Sequence, residues 1–381
     1  MVQKSIITLS ICEAGFAPNC IYHFHIKVND KPVAGDRILS PAQTKVVRNL
    51  YRRYTALFEP LHAGRHVQAE MARDQQIALG SELFDLWLAE SWDEIEKKVP
   101  SSAHLMLVVA SDAPDALNLP WEMLRLPKKL RLPDCDFIGF DPSFSVRRLP
   151  GAERKLEAFA GALRPGPLRV LFMASSPLDL PELYFEREEE AFIRAISKAG
   201  PDAAFDICDM GSFDELRERI NEFKPHIVHL TGHGIVGRGC QKCRWVSGPE
   251  DFVYENCKSS IEDVQALGHF AFEDERGTSD LRSSAEISGL IAGSGVNCVF
   301  FSGCETGKAP EVAALGGVCQ GLVAAGVPIA IGWAASIADD IAILLAAGFY
   351  KTLAAGQPVD RALLLGRQTI REICDKRADP S

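Results

Sequence analysis

The chain has 381 residues, 47% of them hydrophobic and 24% charged, a composition ordinary for a soluble globular protein and long enough for two domains. A formal net charge of -10 argues against a general nucleic-acid binder, and no apolar stretch reaches the ~20 residues of a membrane span. The greasiest run, Ile341 to Ala347, is far too short, and Met1 to Ser5 opens no signal peptide. Eleven cysteines without small-domain disulfide spacing read as reduced thiols, so a cytoplasmic location is expected.

Residues 1–160 are expected to form a smaller α/β subdomain. Period-2 alternation predicts strands over Ser5–Ile11 and Ile21–Val28, and helical periodicity predicts helices over Ala42–Phe58 and Gln75–Val99. His104–Ala110 reads as a short buried strand and Phe140–Val146 as another, with the box Pro120-Trp121-Glu122-Met123-Leu124 between them. The Pro/Gly-rich stretch Leu163–Pro167 then reads as a joint.

From residue 161 to 381 the pattern alternates strand and helix. Strands are predicted at Leu168–Ser175, Ala204–Asp209, Pro225–Gly234, Val296–Gly303 and Pro328–Trp333. Helices are predicted at Phe185–Ala199, Ser212–Phe223, Ser283–Ile291, Val312–Ala325, Asp340–Leu353 and Val359–Ile373. Glutamates in the first turns of Phe185–Ala199 suit the helix dipole. A polar insert occupies about 235–280, with Phe270–Phe272 as a short strand within it. Consecutive strand–helix units imply right-handed crossovers and a mainly parallel sheet, here a three-layer α/β/α sandwich.

Two segments carry the chemistry. Ile227-Val228-His229-Leu230-Thr231-Gly232-His233-Gly234 and Val299-Phe300-Phe301-Ser302-Gly303-Cys304-Glu305-Thr306-Gly307 are apolar runs that stop at small-residue turns. In open α/β sheets ligands and chemistry collect beyond the carboxyl ends of strands. An imidazole at His233 and a thiol at Cys304 are the parts of a Cys–His nucleophilic dyad. His233-Gly234 and Gly303-Cys304 are places where the backbone can turn sharply and offer N–H groups to an anion. Parity sets His226 on the opposite strand face from His229 and His233, and His229, deeper on the strand, reads as a packed structural histidine.

Other clusters are weaker. Cys240-Gln241-Lys242-Cys243 resembles half a zinc site, with Cys257 and His269 as further candidates. Cys12, Cys20, His23 and His25 can also be drawn as ligands, although alternate strand residues share a face routinely. No metal is expected at either, and the dyad calls for no cofactor.

Strand-His-Gly followed by strand-Gly-Cys resembles the caspase-like cysteine peptidases of clan CD, without the caspase Gln-Ala-Cys-x-Gly signature. Over about residues 100–370 the chain is more similar to the CHAT domain, a bacterial relative of separase. The matching boxes are Pro120-Trp121-Glu122-x-Leu124, His229-x-x-x-His233-Gly234, Gly303-Cys304-x-Thr306, and Gly332-Trp333 followed by Asp339 and Phe349-Tyr350. The resemblance implies a cysteine endopeptidase in which Cys304 attacks and His233 passes the proton to the leaving amine. N–H groups of Gly234 and Cys304 would hold the oxyanion. Asp339 or Asp340, with Glu305 and Trp333, would line the substrate pocket, and the spacing after Trp333, longer than the family's, leaves open which Asp does so. It further implies that residues 1–160 are a degenerate partner half, that the substrate is a protein, and that stress or phage defence is the setting. A gasdermin-like pore-former as target and a separate activating partner are within its scope. A non-catalytic scaffold, or a thiol acyltransferase or amidase on the same dyad, are the alternatives.

Overall fold

The computed structural model describes residues 4–14, 21–33, 35–57, 69–100, 103–128, 136–152, 166–198, 200–240, 246–247, 264–302, 309–333 and 339–378. They divide into two compact units, Met1–Ala160 with Leu363–Ser381, and Gly161–Ala362.

In the first unit the strands β1 (Lys4–Ala14), β2 (Ile21–Val28), β3 (Lys31–Pro32) and β4 (Arg37–Ile38) lead into the helix α1 (Pro41–Ala56). Ser40 starts α1 with a reciprocal cap, its hydroxyl accepting from Gln43 N while the Gln43 side chain accepts from Ser40 N. There follow α2 (Ala69–Trp87), α3 (Trp92–Lys98), β5 (His104–Ser111), the single turn α4 (Pro114–Leu117) and β6 (Phe144–Pro150). The sheet runs β3-β2-β1-β5-β6, with β4 also on β2. The β1–β2 pair is antiparallel, and β1–β5 and β5–β6 are parallel. Alternation on β1 and β2 sends Ile7, Leu9, Ile11, Tyr22, Phe24 and Ile26 into one core with Val47 and Leu50 of α1 and Leu83 and Trp87 of α2.

Two expectations for this unit change. The helix predicted over Gln75–Val99 is broken, because α2 ends at Trp87 and a 3₁₀ turn at Ala89–Ser91 precedes α3. Phe84, Trp87, Leu88, Ser91, Trp92 and Ile95 are all buried at helical spacing, so the apolar stripe crosses the break and periodicity cannot register it. The strand predicted over Phe140–Val146 starts at Phe144 instead. Asp141 accepts hydrogen bonds from Ser143 N (2.8 Å) and its hydroxyl (2.5 Å), and that Asp-Pro turn delays the strand.

The second unit follows as β7 (Leu168–Ala174), α5 (Phe185–Ser197), β8 (Ala203–Ile207), α6 (Phe213–Phe223) and β9 (Ile227–Thr231). It continues as β10 (Gly234–Cys240), β11 (Val246–Ser247), β12 (Val264–Glu273), β13 (Ser279–Ser283), α7 (Ser284–Ile291) and β14 (Cys298–Ser302), then α8 (Ala309–Ala324), β15 (Ile329–Ile331) and α9 (Asp339–Ala354). The central sheet, β15-β14-β9-β7-β8, is wholly parallel. Leu171, Met173, Val228, Leu230, Val299 and Phe301 face α6, α7 and α8 through Leu216, Ile220, Ile287, Ile291, Val318 and Leu322. On the other face, Phe172, His229 and Phe300 meet Phe192 of α5 and Phe349 and Tyr350 of α9. That is the three-layer α/β/α arrangement.

Residues 235–280 contribute more than a polar excursion. The short strand expected at Phe270–Phe272 is the end of the ten-residue β12, at the centre of an antiparallel sheet ordered β11-β10-β12-β13. Phe270 and Phe272 are fully buried in the same core as the parallel strands. The last helix, α10 (Val359–Ala378), joins the first unit from Leu363 onward. Its Gln368 donates to Phe140 O at 3.2 Å, and Arg371 lies over the Phe140 ring.

Candidate active site

β9 ends at Thr231, and the next residue must be glycine. A Cβ on Gly232 would stand 2.5 Å from Phe270 Cζ and 3.1 Å from Ser175 O. The chain turns there and delivers His233, a buried imidazole whose Nε2 lies 2.8 Å from the carbonyl oxygen of Pro181. A carbonyl only accepts, so Nε2 carries the proton and Nδ1 is the basic nitrogen.

The loop after β7 places that carbonyl, and hydrogen bonds pin it along its length. Ser175 N donates to Thr231 O and Ser175 Oγ to Ala271 O, each at 2.8 Å. Ser176 N reaches Glu273 Oε1 and Leu178 N reaches Gly277 O, again at 2.8 Å. Asp179 accepts from Ser279 N at 2.8 Å and from its hydroxyl at 2.7 Å, and the Ser279 hydroxyl bond is the main reason its pKa is lowered. The loop is therefore stapled to the β12–β13 hairpin on both sides of Leu178.

Immediately after His233, Gly234 opens β10 opposite Phe270, while Ala271 N donates to His233 O at 3.0 Å. That pattern makes Gly234–Phe270 a pair without mutual hydrogen bonds, so the Gly234 N–H points away from β12.

β14 runs beside β9, with Ser302 registered against Thr231 and Gly232 N donating to Ser302 O at 3.2 Å. Cys304, together with Gly303, Glu305 and Thr306, lies outside the described residues. Trp333 is half-buried against the core of the second unit, and its indole N–H meets no acceptor among the described residues. α9 includes both Asp339 and Asp340, which stand in its first turn. Asp340 is half-buried, and the side chain of Asp339 is outside the described residues.

The metal candidates fare unevenly. Cys20, Cys243, Cys257 and the side chain of Cys240 fall outside the described residues. His269 is buried on β12, between Ile235 and Ser283 on the flanking strands. Cys12 and His23 are cross-strand neighbours, and His25 lies 3.9 Å from Asp36. Among the described residues no group of three or more His, Cys, Asp or Glu is placed to hold a metal ion. His226, at the amino end of β9, accepts from Arg169 N through Nδ1 at 3.0 Å.

One residue escaped the sequence reading. Glu188, in the first turn of α5, is 3% exposed. Its Oε1 accepts from the Ser302 hydroxyl and lies 3.3 Å from His229 Nε2, while its Oε2 accepts from the Thr231 hydroxyl at 3.0 Å. His229 is wholly buried and sandwiched between the Phe172 and Phe300 rings, 4.9 and 5.0 Å away. Its Nδ1 meets the Tyr350 hydroxyl at 2.8 Å. Burial raises the Glu188 pKa, but the bonds from His229, Ser302 and Thr231 outweigh it and hold the carboxyl below its ordinary value. The signal was present in the sequence: Glu188 shares a helix face with Phe192, Ala195 and Ile196, four, seven and eight residues on.

A parallel α/β sheet with a histidine at the carboxyl end of one strand, and the next strand leading into Gly303-Cys304, defines a caspase-like domain. The family model of the CHAT domain, a caspase-like domain of clan CD, matches residues 77–380, and the chain belongs to that family. No curated protein matches the chain. No helix among the described residues is long and apolar enough to cross a membrane.

Proposed function

We propose that this CHAT-domain chain is a cysteine endopeptidase acting through His233 and Cys304 by limited proteolysis of a protein target. The observation that carries the reading is the anchored tautomer of His233. With Nε2–H given to the Pro181 carbonyl, Nδ1 is the nitrogen that can take a thiol proton. Register supports the pairing, since Thr231 and Ser302 are partners and each stands two residues before its half of the dyad.

In this mechanism Cys304 gives its proton to His233 Nδ1, and the thiolate attacks the scissile carbonyl. His233 then protonates the leaving amine, and water hydrolyses the thioester. The Gly234 N–H, turned away from β12, and that of Cys304 would hold the oxyanion, one such donor being worth about 10²–10³ in rate. No cofactor enters. Asp339 or Asp340 would pair with Arg or Lys before the scissile bond, beside Trp333 and Glu305. The target would be a protein of bacterial stress or phage defence, a gasdermin-like pore-former among them, with a partner supplying activation in the cytoplasm.

An active-site-directed peptide probe tests the chemistry: it should label wild type and leave Cys304→Ala unlabelled, whereas equal labelling of both would overturn the assignment. A positional peptide library tests the pocket. Replacing the responsible Asp by Ala should depress cleavage after Arg or Lys at least tenfold, and a wild type preferring Leu or Met there would reject a charged pocket.

A further inference from the structure

Glu188 has no part in the chemistry just described, yet it is buried beneath the edge where that chemistry sits. A carboxylate removed from water needs several donors to remain charged. Here the donors come from both strands that lead to the dyad. Thr231 Oγ1 on β9 gives to Oε2 at 3.0 Å, and Ser302 Oγ on β14 gives to Oε1. His229 Nε2, also on β9, faces Oε1 at 3.3 Å and Thr231 Oγ1 at 3.0 Å. Both neighbours of that nitrogen can accept, so it carries the proton. Burial keeps the Tyr350 hydroxyl protonated, and it donates to His229 Nδ1 at 2.8 Å. Every donor in the cluster thus points, directly or through His229, toward one carboxylate.

Thr231 and Ser302 are register partners, and their side chains share the sheet face that α5 and α9 cover. A single group on α5 therefore grips the last residues of both β9 and β14. We propose that Glu188 is a positioning residue for the dyad: its carboxylate clamps the Thr231 and Ser302 hydroxyls and so fixes the spacing of the strand ends that carry His233 and Cys304. This rests on the peptidase reading. The clamp requires an acceptor at both oxygens. Glutamine has the same shape but one acceptor. Its amide would face either the Thr231 hydroxyl, which would have to turn and accept, or the Ser302 hydroxyl and the His229 N–H. At least one of the bonds that hold the strand ends is then reversed or lost. Simple packing would be served by glutamine as well as by glutamate.

Misplacement of reacting groups by about 1 Å can cost on the order of a hundredfold in rate, and it acts on kcat when ground-state binding is untouched. The test uses the full chain, the peptide probe directed at Cys304 and the best fluorogenic peptide from the positional library. Glu188→Gln should lower kcat at least tenfold with KM within about twofold, and should slow labelling of Cys304 in parallel. Ser302→Ala, a smaller change that keeps the fold even if Glu188→Gln does not, should lower kcat severalfold with KM again unmoved. The double variant should be little worse than Glu188→Gln alone, because both act through one network. An active wild type whose Glu188→Gln and Ser302→Ala variants lose melting temperature but keep kcat would overturn the clamp alone. A wild type that neither labels at Cys304 nor cleaves any peptide would overturn the peptidase reading and the clamp with it.

Discussion

Each unit fixes a glutamate at the edge of its interior, half-buried at Glu122 and fully buried at Glu188, and the two are held by opposite means. In the first unit, Glu122 of the Pro-Trp-Glu-x-Leu box meets Arg148 through two parallel bonds of 2.6 and 2.7 Å. The same guanidinium also donates to Leu117 O at 2.7 Å and Leu119 O at 3.0 Å, so it ties Glu122 of the box to the chain that leads into it. Trp121, fully buried beside it, donates its indole N–H to Ala116 O at 2.8 Å. Gly80 of α2 approaches so closely that a Cβ there would lie 2.1 Å from Met123 O. In the second unit Glu188 meets two hydroxyls and an imidazole. A guanidinium fork holds two pieces of backbone together wherever they are needed, whereas hydroxyls at the ends of paired strands hold the groups that come next. The Pro-Trp-Glu-x-Leu box of the first unit is thus a structural lock, and the quieter glutamate lies beneath the carboxyl ends of β9 and β14.

The widest separation between the units should appear in activity. His233→Ala and Cys304→Ala should each reduce cleavage by more than 10³-fold with melting temperature unchanged, and the double variant should be no worse than either single, since the two act as one device. Additive losses measured with the same fluorogenic peptide would show that they do not.

The lock should behave in the reverse way. Arg148→Met leaves Glu122 with only the more distant Arg367, 3.9 Å away, and should cost about 2 kcal/mol in urea unfolding, with kcat of the folded fraction preserved. Its pH dependence has a definite sign. Burial raises the Glu122 pKa, but the charge and hydrogen bonds of Arg148, helped by Arg367, bring it from 4.5 down to about 2. A lowered carboxyl contributes stability that is complete above 4.5 and is lost as pH falls toward about 2. The stability advantage of wild type over Glu122→Gln should therefore be full at pH 6 and should shrink across that window. The smallest effect belongs to Trp121→Phe, which removes the bond to Ala116 O and should cost about 1–2 kcal/mol without altering cleavage.

Much of the second unit was legible because its strands are short apolar runs bounded by glycine or proline, as Ile227–Thr231 and Cys298–Ser302 are. The order His-Gly then Gly-Cys carried the family. What escaped detection has local physical causes. The apolar stripe from Phe84 to Ile95 runs straight through a 3₁₀ break, so its period never falters. The Asp141 turn that delays β6 depends on a side-chain bond that composition does not express. Glu188 looked like one more acidic residue favoured at a helix start, and only its place in line with Phe192 and Ile196 marked it as buried. Cys304, the most conspicuous thiol of the sequence, lies outside the described residues, as do Glu305 and the Asp339 side chain.

The acceptor that orients His233 is a main-chain oxygen, and it belongs to a proline. No codon change at position 181 can delete it, because all twenty residues carry the same carbonyl. A saturation scan at position 181 would consequently leave this acceptor in place, however indispensable the contact. Influence over the imidazole has instead been handed to whatever sets the path of residues 175–184, such as the Asp179 bonds to Ser279. If His233 is the base of the proposed dyad, a ligand that pulled that loop from its hairpin would disarm it without touching either proposed member, and one that drew it tighter would do the reverse.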